Sequence, residues 1–91
     1  MRPIRITGVT GTTVPVPLDV YTIGPQTAVR VTGGTLQTTV DNVFDLDITP
    51  VWEAAPPAIA GIHYIPAGIR AVRATGMTPS SVLVVSQQGI R

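Results

Sequence analysis

Along most of this chain apolar and polar residues alternate one by one, the period of a strand that buries a single face. PIRIT, residues 3–7, sets Ile4 and Ile6 on one side and Arg5 and Thr7 on the other, and the GVTGT after it reads as a turn. TTVPVPL, residues 12–18, alternates too, but Pro15 and Pro17 have no N–H to give to a ladder, which predicts an edge strand or an extended arm. Beyond a loop through Tyr21, Gly24 and Pro25 come TAVRVT, Gly33-Gly34 and TLQTTV. Two glycines between alternating runs suit a two-residue hairpin turn, which needs positive φ. Leu36, Val40, Phe44, Leu46 and Ile48 then share even positions, so the strand is expected to run on in one register; the alternative is a second tight turn at Asp41-Asn42.

Near the other end GIRAVRAT, residues 68–75, and SVLVVSQ, residues 81–87, flank the turn cluster TGMTPS and predict another hairpin. Val82 and Val84 take one face of the last run and Leu83 and Val85 the other, so this strand is expected to be covered on both sides, as by a neighbouring subunit. Between these regions lies TPVWEAAPPAIAGIHYIPAG, twenty residues with four prolines. A loop that long is unusual in a small domain unless it covers or binds something. Its content is apolar, with Trp52, Ile59, Ile62, Tyr64 and Ile65, and it reads as a docking segment with a short strand at GIHYI. Nine prolines and thirteen each of Thr and Val leave no amphipathic helix pattern. The expected fold is all-β: one small antiparallel β-sandwich or jelly roll, residues 1–91, with a long apolar loop.

Composition adds a reason to look for partners. Hydrophobic residues make up 44% of the chain and charged residues 12%, about half the usual ~25% share of charge, so apolar content exceeds what one small sandwich hides. An interface is the natural outlet for the surplus. With no cysteine, neither disulfides nor thiolate metal sites are available. All six basic residues are arginine, scattered as Arg2, Arg5, Arg30, Arg70, Arg73 and Arg91 for a net charge of +1. That is not the basic stripe of a nucleic-acid binder, and guanidinium groups suit ordered ion pairs and interface hydrogen bonds. No apolar h-region follows Met1, and no run approaches the ~20 apolar residues of a membrane span. The expectation is a product that stays in the cytoplasm unless an assembly carries it.

Candidate chemistry is sparse. Asp41, Asp45 and Asp47 lie within seven positions, but no glycine or late glutamate completes a calcium loop. Alternation with Phe44, Leu46 and Ile48 instead places Asp45 and Asp47 on the wet face of a strand, opposite arginines such as Arg70 or Arg73. His63 is the lone histidine, and Ser80, Ser81 and Ser86 sit in no nucleophile elbow. No enzyme, metal site or cofactor is expected. Trp52, Tyr21 and Tyr64 are the aromatic candidates, as anchors of protein contacts or as a sugar-stacking platform.

PIRITG, VPLDVY, AVRVTGGTLQTTVDNVFDLD, TPVW and IRAVRATGMTPSSVLVVSQQG, in this order, resemble the small all-β structural proteins of tailed bacteriophage virions that decorate or cement the capsid. The resemblance implies a non-enzymatic virion protein that contacts the major capsid protein and its own copies, as a dimer or trimer, without nucleic acid or membrane. The contact residues expected on that reading are Trp52, Ile59, Ile62, Tyr64 and Ile65 of the long loop and Val14 and Val16 of the proline-rich arm. The alternative is a tail- or fibre-associated carbohydrate- or receptor-binding module.

Overall fold

Strand propensity and alternation are realised throughout: in a computed structural model, which describes residues 4–18, 23–66 and 68–90, every regular element is a β-strand. The strands are β1 (Ile4–Thr7), β2 (Val16–Pro17), β3 (Ile23–Thr32), β4 (Thr35–Thr39), β5 (Glu53–Ala54), β6 (His63–Ile65), β7 (Ala71–Thr75) and β8 (Val82–Ile90). They form two four-stranded antiparallel sheets, ordered β1-β8-β3-β6 and β2-β7-β4-β5, packed as a small β-sandwich. Alternation sets the faces. Val29, Leu83 and Val85 of the first sheet are wholly buried and meet Val16, Leu36, Val72 and Ala74 of the second, with Met77 and Ile65 completing the core.

Both expected hairpins turn out to be crossings between the sheets. Gly33-Gly34 does join β3 to β4, but β3 pairs with β8, with Thr32 opposite Val82, while β4 pairs with β7, with Thr35 opposite Thr75. Residues 76–81 likewise carry β7 of one sheet over to β8 of the other. The two crossings lie side by side and are joined chemically. Ser81 Oγ donates to the Gly33 carbonyl and accepts the Thr78 amide, both at 3.0 Å. Space there is tight: a β-carbon on Gly34 would stand 2.5 Å from Met77 Sδ and 3.0 Å from the Thr75 carbonyl oxygen.

β8 lies inside its sheet, between β1 and β3, so Leu83 and Val85 face the core while Val82 and Val84 are half-buried on the outward face. Gly24 and Pro25 belong to β3, where a register shift between Ile23 and Gln26 accommodates a residue with no amide hydrogen. Tyr21 lies outside the described residues. The proline-rich arm is the edge strand that its prolines predict. It runs along β7 through Gly11 with Met77, Thr13 with Ala74 and Leu18 with Arg70, and it turns Val16 into the core and Val14 to solvent.

The twenty-residue apolar segment is a side wall rather than a free loop. It gives β5 to the edge of one sheet and β6 to the edge of the other. Between them Ile59 and Ile62 exchange amide hydrogen bonds of 2.8 and 3.0 Å around Ala60 and Gly61, both at positive φ (53° and 80°). That is the backbone of a tight hairpin turn. His63 Nδ1 bonds the Pro56 carbonyl oxygen at 2.6 Å and ties the wall together.

Because Ser81 is buried and its hydroxyl joins the two crossings, Ser81→Ala removes the bonds to the Gly33 carbonyl and the Thr78 amide at a cost of about 0.5–1.5 kcal/mol. In a domain of this size that lowers Tm by roughly 2–12 °C, read by circular dichroism at fixed protein concentration.

Candidate functional site

The strand expected to continue past Val40 stops at Thr39, and residues 41–48 fold into consecutive turns. Their own polar side chains cause this. Asn42 Oδ1 accepts the Phe44 amide at 3.0 Å and Asp45 Oδ1 accepts the Asp47 amide at 2.9 Å, two Asx turns that compete with a ladder for the backbone. Backbone bonds from Asp45 N to Asn42 O and from Ile48 N to Asp45 O follow the same path. Asp41 closes the base: its Oδ2 accepts the Val51 amide at 2.7 Å, and its own amide donates to Thr39 Oγ1 at 3.0 Å.

The consequence is a shaped loop whose apolar side chains point away from the core. Leu46 is 95% exposed and Phe44 73%, with Val40, Ile48 and Val51 exposed beside them. Asp45 and Asp47 therefore lie on no strand face, and among the described residues no ion pair joins them to Arg70 or Arg73. Nor does any group of three His, Asp or Glu side chains among the described residues converge as a metal site would require.

A second feature lies on the outward face of the first sheet. Register places Arg5 of β1, Val84 of β8 and Arg30 of β3 in one row across three strands. The next row holds Ser86, Ala28 and Tyr64. Between them is a shallow depression of about 200 Å³ lined by Ala28, Val29, Arg30, Ile62, Val84 and Ser86. Arg5 and Arg30 are exposed, and among the described residues neither guanidinium has a hydrogen-bonded or ionic partner. Arg30 lines this depression, and Arg5 stands in the same row on the far side of Val84, about two strand spacings of ~4.8 Å from Arg30 at the backbone.

The sequence-expected contact residues divide. Val16 and Ile65 are spent inside the core. Val14, Ile59 and Tyr64 are exposed, and Ile62 is half-buried in the wall of the depression. Trp52 is half-buried and its ring face is already covered: the Arg73 guanidinium carbon lies 4.3 Å from the ring centroid, and Arg73 Nε donates to Gln37 Oε1 at 2.8 Å. The Arg73 guanidinium stacked on one ring face holds Trp52 against the second sheet's outward face. The residues that sequence reasoning missed are Phe44 and Leu46, assigned to a core strand because their alternation matched one. The spacing of Asn42, Asp45 and Asp47, each suited to bond the backbone two residues on, was the available signal.

If Asp41 holds the loop base, Asp41→Ala speeds hydrogen exchange at the Val51 amide about tenfold, the equivalent of one hydrogen bond, and leaves exchange in β8 unchanged. Compared with family models, curated proteins and solved structures, the chain matches none.

Proposed function

We propose that this chain is a non-enzymatic structural protein of a tailed-phage particle, decorating or cementing the capsid through contacts with the major capsid protein and with its own copies. The observation that carries the reading is the 40–51 loop, five apolar side chains presented to solvent on a backbone fixed by its own Asx turns. Large apolar side chains gathered in exposed positions on one ordered loop are the raw material of a protein contact. The sequence resemblance supplies the kind of assembly.

Magnitudes favour a lattice. Burying Phe44 and Leu46 contributes about 1.5–3 kcal/mol each, whereas association costs at least ~4 kcal/mol of translational and rotational freedom. A single loop is therefore a weak ligand. Repeated copies on a periodic surface raise the effective concentration of each contact and convert weak sites into stable coverage. A low-charge sandwich with one apolar projection fits that use.

A second reading, glycan binding, has one observation in its favour: Tyr64 is exposed in the row next to the depression bounded by Arg30 and Ser86. An aromatic face beside hydrogen-bonding groups is the pattern of a sugar-stacking platform.

Two measurements test these readings. Phe44→Ser with Leu46→Ser is expected to leave the thermal melt of the isolated protein within a few degrees of wild type and to lower occupancy on purified particles at least about tenfold; unchanged occupancy overturns the structural reading. Titration of the isolated protein with glycans is expected to give no saturable signal, and saturable binding that disappears in Tyr64→Ala favours the second reading instead.

A further inference from the structure

The loop and the depression complement each other. The loop is a knob with apolar Phe44 and Leu46 at its tip, three carboxylates at Asp41, Asp45 and Asp47, and no basic residue between 40 and 51. The depression has an apolar floor of Ala28, Val84 and Ile62 with Arg30 in its lining and Arg5 one strand beyond Val84 in the same row; among the described residues neither guanidinium has a partner, and no acid stands among the described positions of that sheet face. At about 200 Å³ it is smaller than the ~300–1,000 Å³ of small-molecule sites and fits one or two side chains. The chain does not fill its own depression, since Phe44 and Leu46 stay exposed.

We propose that the 40–51 loop of one copy docks into the Arg5/Arg30 depression of a second copy, with Leu46 and Phe44 on the apolar floor and Asp45 and Asp47 facing the two guanidinium groups. The inference rests on the reading of this loop as a docking element and names its partner. An anionic membrane is disfavoured by the carboxylates, which it would repel. A partner with cations around an apolar hollow is what the loop's chemistry requires, and this chain carries such a hollow. Because knob and socket are different patches, the contact is head-to-tail: each junction leaves a free knob at one end and a free socket at the other. Such a contact propagates into a ring if the rotation closes and into a filament if it does not.

That asymmetry gives the test. Phe44→Ser/Leu46→Ser removes the knob, and Arg5→Glu/Arg30→Glu reverses the socket at two exposed positions. In sedimentation velocity the wild-type chain is expected to associate beyond a dimer as concentration rises, and each variant alone to remain monomeric. At the high protein concentration that a weak single-loop contact needs, an equimolar mixture of the two is expected to associate reversibly and to stop at a 1:1 pair, because only one intact junction exists. Wild type that stays monomeric, either folded variant that still assembles like wild type, or a mixture that fails to pair overturns the proposal. Should a variant not fold, cysteine scanning replaces it, since the chain has no cysteine of its own. Leu46→Cys mixed with Ser86→Cys is expected to give an oxidised heterodimer, and its absence overturns the proposal equally. A wild-type chain that is monomeric while Phe44→Ser/Leu46→Ser still loses particle occupancy separates the two claims: the loop docks, but not onto its own kind.

Discussion

Two short crossings that share one corner determine the rest of the sandwich. The step from β3 to β4 has only Gly33 and Gly34 to span packed sheets about 10 Å apart. Three Cα–Cα steps of about 3.8 Å reach little further than that, so the chain runs nearly straight from one sheet to the other. Any side chain on the way meets the neighbouring crossing, where Ser81 and Met77 occupy the space a β-carbon would need. The glycines serve that approach as much as a turn. Ser81 Oγ holds the Gly33 carbonyl at the corner where β8 lies beside β3 and β7 beside β4.

That topology was hard to read from the sequence for a definite reason. A hairpin through Gly33-Gly34 and a crossing through the same residues both turn Val31 and Leu36 toward the core, so alternation fixes the faces and leaves the pairing open. The all-β class, the edge position of the 12–18 arm and the strand at His63–Ile65 needed only alternation and proline chemistry, and all three were legible. The side wall was partly hidden because Ala60 is an unusual residue at positive φ, where asparagine or glycine would have advertised the turn. The arginine row depends on register. Arg5 and Arg30 are 25 positions apart, and only their shared pairing to Val84 brings them onto one row.

The loop shows a different failure, in which two signals pointed opposite ways and the local one prevailed. Phe44, Leu46 and Ile48 alternate as strand residues do, but a strand here needs a neighbour to receive its ladder, and β4 is already flanked by β7 and the two-residue β5. Side chains at Asn42 and Asp45 satisfy the backbone amides without any neighbour. The most exposed of the large apolar side chains, Leu46, sits on this loop beside Phe44, while Val51, Ile59 and Tyr64 of the proline-rich segment and Val14 of the arm carry more of the exposed apolar surface.

An exposed apolar loop is a liability as well as a device, and its aspartates bear on both. Apolar, β-prone runs of low charge associate indiscriminately, and interleaved charges restrain them. Asp45 and Asp47 stand on either side of Leu46, so a hydrophobic surface that covers Leu46 must also desolvate carboxylates or supply cations to meet them. An indifferent apolar surface is penalised, and one flanked by arginines is not. The Asx turns act in the same direction by fixing the backbone before contact, which lowers the ordering cost of binding. In the proposed docking role, the same few polar atoms restrain indiscriminate association and select the surface that the loop meets.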